Sequence, residues 1–216
     1  MKNDFNKRIL TSFILVGLVV FFVFLNLYTF MGTLFIISLI SWLEFTKLIK
    51  KIYIKNYSFR DLISILSFIY LLIFLYMSYI LYTIEFAFLV MSICIFSDIG
   101  GYVVGKIFGG KKLTKISPNK TISGCIGSFI FAVFPILFII LFNNDQVYTK
   151  YFNFILLSLV VSLTCQIGDL FISYFKRKAK VKDTGTLLPG HGGILDRVDG
   201  IIFGVPISVL ALTIIV

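Results

Sequence analysis

Long apolar runs alternate with short segments crowded with lysine, arginine, glycine and proline along this 216-residue chain. A run of about 16 to 23 apolar residues has the length an α-helix needs to cross a hydrocarbon core about 30 Å thick. On that rule the pattern predicts seven transmembrane helices, at Ile9–Leu27, Met31–Phe45, Leu62–Tyr82, Phe86–Phe108, Ile122–Phe142, Phe152–Phe175 and Ile194–Val216. The first run is followed by Tyr28, Thr29 and Phe30 rather than by a small-residue cleavage site, so it is expected to remain as a span. No internal repeat divides the chain. The expected fold is one all-α, polytopic integral membrane domain over 1–216, with N-terminal helices in 1–85 and catalytic helices and loops in 86–216.

Composition agrees: 59% hydrophobic and 14% charged residues leave too little polar surface to cover a soluble globule. The net charge of +10 would suggest nucleic acid in a soluble protein. Here, however, the cations fall in short loops between spans. With a cytoplasmic N-terminus, every Lys and Arg except Lys150 lies on the cytoplasmic side. That asymmetry predicts N-terminus in, C-terminus out and anionic membrane lipid as a partner, with no nucleic acid. The five cations of the segment from Lys47 to Arg60, interleaved with Tyr53, Tyr57 and Phe59, suit an interfacial anchor. Cys94, Cys125 and Cys165 fall inside apolar runs without metal-ligand spacing, as reduced, space-filling residues do.

Polar residues inside the spans mark candidate chemistry. Asp98, Gly101, Tyr102 and Gly105 share a helical face, and the Gly101/Gly105 pair allows close approach of another helix. Ser162, Gln166, Asp169, Ser173 and Lys176 form a polar stripe near the cytoplasmic end of the sixth predicted helix, where Asp169 and Ser173 can offer oxygens to one ion. Asp196 and Asp199, at i and i+3, open the last helix beside Arg197. Oxygen-only ligands favour Mg²⁺ over zinc, with a second cation left open.

Two cytoplasmic loops are rich in glycine and cations. Gly109–Gly124 contains Ser117 and Lys120 but no P-loop spacing. Ser173–Asp199 contains Lys176, Arg177, Lys182, Asp183, Gly192, Gly193, Asp196, Arg197 and the sole histidine, His191. Glycine lets backbone amides converge on phosphate while lysine and arginine neutralise it, so the pair of loops points to a polyphosphate ligand. A cation or phosphate transporter is the rival of another class, but the polar residues gather at one membrane face instead of the midplane.

From Ser173 to Asp199 the chain resembles the phosphatidate cytidylyltransferase, or CDP-diacylglycerol synthase, family. Its signature is matched by Ser173, Phe175, Lys176-Arg177, Lys182-Asp183, Gly185, Leu188-Pro189, His191-Gly192-Gly193-Ile194 and Asp196-Arg197-Val198-Asp199. The resemblance extends to Gly168-Asp169-Leu170, Ser97-Asp98 with Gly105, and Ser117-Pro118-Asn119-Lys120-Thr121 with Gly124. It reaches the N-terminal half only through Lys7-Arg8 and the stretch from Trp42 to Glu44. Ser123 stands where relatives usually carry glutamate, and Ile172 where an acidic residue is common.

The resemblance implies cytidylyl transfer from CTP to phosphatidate, with a related isoprenoid-alcohol kinase or ether-lipid cytidylyltransferase as the alternative. It implies Asp169, Ser173, Asp196 and Asp199 for metal, and Lys120, Lys176, Arg177, Lys182 and Arg197 for phosphate. Ser117, His191, Gly192 and Gly193 are expected at the nucleotide, Asp183 holding a lysine, and Asp98 completing the polar cavity. A bacterial inner membrane with the active site facing the cytoplasm is the implied location, and a homodimer is left open.

Overall fold

The computed structural model describes residues 26–114, 116–118, 120–142, 148–187 and 192–215. The expected first span therefore lies outside the described residues except for its last two positions. Among the described residues there are seven helices and no strand: α1 Leu27–Ile52, α2 Tyr57–Thr83, α3 Ala87–Phe108, α4 Ile122–Ala132, α5 Phe134–Phe142, α6 Tyr148–Lys178 and α7 Leu195–Ile215. Five of them, α1, α2, α3, α6 and α7, are long and apolar enough to cross a membrane. The chain is thus a polytopic all-α membrane protein.

Two boundaries depart from the hydrophobic pattern for identifiable reasons. The fifth apolar run is broken between α4 and α5, where Pro135 lacks an N–H and crowds the preceding turn, and the Val133 carbonyl accepts from both Ile136 and Leu137 N–H at 3.0 Å. At the other boundary, no breaker intervenes after Phe45, so α1 continues through Lys47, Lys50 and Lys51 to Ile52. The predicted interfacial segment is therefore a helix end and a short turn. Tyr53 there packs edge-on against Phe59 at 4.9 Å, and Lys178 sits over its ring and donates to its hydroxyl at 3.0 Å.

Packing sorts the chain into two compact units. The described part of Met1–Tyr79 joins Phe175–Val198, and Ile80–Tyr174 joins Asp199–Val216. Most of the signature segment therefore belongs to the first unit, together with α1 and most of α2, which precede it in the chain.

Candidate active site

In the first unit the signature segment begins as α6 ends. Lys180 adopts a left-handed conformation (φ 56°), and the amides of Lys180 and Val181 donate back to the Arg177 and Lys176 carbonyls at 3.0 and 2.9 Å. This is the reciprocal pair of a Schellman C-cap, with lysine where glycine is usual. It turns the chain toward Thr184. Lys182 and Asp183 are exposed beyond the cap, as are Arg177 and Arg197.

Asp196 is the hub of this unit's polar cluster. Its Oδ1 accepts from the Lys176 ammonium at 2.7 Å. Its Oδ2 accepts from the amides of Thr184 (2.8 Å) and Gly193 (3.0 Å) and from the Thr184 hydroxyl (2.9 Å). The side chains of Lys176 and Asp196 are only 12% and 6% exposed, so the pair works in a weakly screened environment. Asp196 is thus the carboxylate that holds Lys176, while Asp183 stands exposed beyond the cap. Gly192 makes the turn possible: its φ is 87°, and a β-carbon there would lie 2.9 Å from Asp196 Oδ2.

Sequence reasoning missed one member of the cluster. Glu44 of α1, 5% exposed, accepts from the Thr184 hydroxyl at 2.8 Å and from the amides of Ile194 and Leu195 at 3.1 and 2.9 Å. The signal was available, because Glu44 is a lone carboxylate in an apolar run, and such residues are rarely retained without a partner.

The second unit holds the other cluster. The Gly109–Gly124 segment closes as a hairpin, with Leu113 N–H donating to Lys120 O at 2.8 Å and Ile122 N–H to Lys111 O at 3.0 Å. Ser117 and Thr114 form the inner turn, where the Ser117 amide donates to the Thr114 hydroxyl at 3.2 Å. Ser123 donates to the Gly109 carbonyl and bonds the Thr121 hydroxyl at 2.9 Å, so it ties the two ends of the hairpin together. The hairpin aims Lys120 at Asp169 of α6, and the two form an ion pair. The Ser173 hydroxyl, on a residue 5% exposed, lies 3.3 Å from Asp169 Oδ1.

The polar stripe on α6 continues within this unit as Gln166 donating to Ser162 at 3.4 Å, and Ser162 bonded to Ser97 of α3 at 2.8 Å. The Gly101/Gly105 face brings α3 and α4 together as expected: a β-carbon on Gly101 would lie 2.5 Å from Ser128 Oγ, and one on Gly105 3.3 Å from Gly124 Cα. Asp98 is exposed, and Asp199, 7% exposed, accepts from Gly200 N–H at 2.9 Å. His191 lies outside the described residues. Among the described residues no three His, Cys, Asp or Glu side chains gather as a metal cage.

The sequence model of the Cytidylyltransferase family matches residues 54–215. The chain is 43% identical over 123 residues to a phosphatidate cytidylyltransferase of Rickettsia bellii (strain RML369-C), covering 55% of this chain and 52% of the relative. It is 40% identical over 128 residues to the enzyme of that name from Staphylococcus saprophyticus (59% and 47% covered). Over 111 residues it is 44% identical to that of Bacillus subtilis (strain 168), covering 51% and 40%. The chain spans about half the length of the curated relatives it matches.

Proposed function

Because the chain belongs to the cytidylyltransferase family, we propose that it transfers the cytidylyl group of CTP to phosphatidate, giving CDP-diacylglycerol and pyrophosphate. The observation that carries this reading is the signature from Ser173 to Asp199, present in full on a membrane protein that resembles enzymes of that name. A phosphate oxygen of the lipid bonds to the α-phosphorus of CTP, and the bond from that phosphorus to the bridging oxygen breaks, leaving its electron pair on pyrophosphate. The attacking phosphate monoester is already an anion, so the protein's task is to bring two anions together rather than to remove a proton.

Lysines and arginines suit that task. Lys120 in one cluster, and Lys176 with the exposed Arg177, Lys182 and Arg197 in the other, are the groups assigned to phosphate. Asp169 and Ser173 fit a magnesium ion that arrives with the nucleotide once Lys120 leaves Asp169 for phosphate, because Mg²⁺ takes one or two carboxylates plus substrate phosphates rather than a full protein cage. Such an ion would supply charge neutralisation for the leaving pyrophosphate. Both oxygens of Asp196 already accept donors, so Asp196 reaches a cation only where Lys176 yields its place.

Charge asymmetry and the bacterial relatives support a plasma-membrane enzyme whose basic loops face the cytoplasm. The test is purified protein in detergent with labelled CTP, phosphatidate and Mg²⁺. CDP-diacylglycerol is the expected product. Transfer of phosphate to an isoprenoid alcohol, or no product from phosphatidate, would overturn the assignment. A cysteine replacing Thr186 should react with an impermeant maleimide only from the cytoplasmic side, and labelling from outside would reverse the orientation.

A further inference from the structure

We propose that Glu44 is a positioning residue for the reaction: from α1 it fixes the turn that carries Asp196 and, through Asp196, the place of the Lys176 ammonium. The inference rests on the cytidylyl-transfer reading and deepens it. Every contact in the sequence of effects belongs to the first unit. Glu44 Oε1 accepts from Ile194 N–H (3.1 Å), and Oε2 from Leu195 N–H (2.9 Å). These amides lie at the very start of α7, and the next residue, Asp196, takes Lys176 on one oxygen and Thr184 and Gly193 amides on the other. A shift of Ile194 and Leu195 therefore moves the carboxylate that holds Lys176.

Two further observations point the same way. The signature glycines make room for this particular side chain: β-carbons on Gly185 and Gly193 would overlap the Glu44 carboxylate. Thr184 stands between the two acids, its hydroxyl 2.8 Å from Glu44 Oε2 and 2.9 Å from Asp196 Oδ2. That hydroxyl has one hydrogen and serves one acceptor at a time, so the grip of Glu44 on the turn depends chiefly on the two amides. Glutamine at position 44 keeps the size but presents an NH₂ to N–H or O–H donors on one side. It can satisfy Ile194 or the Leu195 and Thr184 pair, not both.

The experiment compares wild type with Glu44→Gln, Glu44→Asp and Thr184→Val. It reads kcat, the CTP KM, and amide hydrogen exchange in unliganded protein. Misplacement of a reacting constellation by about 1 Å lowers rates by up to roughly a hundredfold. Glu44→Gln should lower kcat by at least about tenfold with KM changed less than about threefold. Exchange should quicken in peptides covering 183–198 and stay as in wild type elsewhere. Thr184→Val should lose only about two- to threefold in kcat, since it leaves both amide contacts in place.

Wild-type kcat in Glu44→Gln overturns the proposal, as does quickened exchange throughout α1 and α2, which would make Glu44 a general fold residue. Should Glu44→Gln fail to accumulate, Glu44→Asp decides. Its carboxylate is kept but withdrawn by about 1.5 Å, so local exchange and kcat should change in the same sense, and wild-type behaviour in both overturns the proposal. If wild-type protein made no CDP-diacylglycerol, the parent reading would fall. The exchange measurement would still decide whether Glu44 holds the turn.

Discussion

Replacing Asp196 with asparagine should both stop turnover and loosen the protein. The reason lies in what surrounds the two oxygens. Oδ1 faces the Lys176 ammonium at 2.7 Å, and Oδ2 faces three donors from Thr184 and Gly193. Asparagine has one acceptor oxygen and one NH₂, so either the NH₂ meets the ammonium or it meets the amides. In both orientations Lys176, with 12% of its side chain exposed, is left without its carboxylate partner. Removing one partner of a buried pair costs about 3 to 5 kcal/mol. With roughly 2 to 4 °C per kcal/mol for a chain of this length, the melting temperature should fall by about 10 °C.

Trp42 is the only tryptophan, and its indole donates to the Ser64 carbonyl at 3.0 Å within the same unit, so its fluorescence follows this unfolding directly. The decisive comparison is the double variant Lys176→Met with Asp196→Asn. With the ammonium gone, the asparagine oxygen can turn to the two amides, and much of the lost melting temperature should return while turnover stays absent. A single variant that melts like wild type would refute the reasoning. So would a double variant that loses the sum of the two single effects.

Gly100→Ala should destabilise the second unit by about 1 to 3 kcal/mol, because its β-carbon would lie 2.5 Å from the Gly127 carbonyl oxygen; Gly32→Ala, with nothing within 4 Å, is the control expected to melt like wild type. Chelation of Mg²⁺ should abolish turnover without lowering the melting temperature of the substrate-free protein, and Lys120→Met should raise the CTP KM by tenfold or so; unaltered CTP use in that variant would remove Lys120 from the phosphate contacts.

Five of the seven predicted spans were legible because each apolar run needs lipid or protein around it, and the length of the run carries that requirement locally. Helix ends were less legible. Nothing in an apolar count says that α1 runs on through Lys47, Lys50 and Lys51, since long cations at a helix end can reach the membrane surface with their stems along apolar neighbours. The candidate site divides the same way. Spacing alone put Asp169 beside Ser173 and singled out the loop cations, because those relations fall within a few residues. Two of the three residues that bond Asp196 were out of reach, since Thr184 is 12 residues away and Lys176 is 20. Glu44 lies 150 residues before Ile194 and belongs to the half in which the family resemblance is thinnest.

The two ion pairs also explain how a chain of net charge +10 can keep cations close to its membrane-spanning helices before any substrate arrives. An unpaired ammonium of low exposure would be held against its desolvation, and Lys176 avoids that through Asp196, as Lys120 does in part through Asp169. On the proposed reading the nucleotide supplies a competing anion with several charges, and the more exposed Lys120, 25% exposed against 12% for Lys176, is the one that changes partner at least cost. On the same reading Lys176, in a pair braced by Thr184 and Gly193 on its carboxylate, stays with Asp196 to define position.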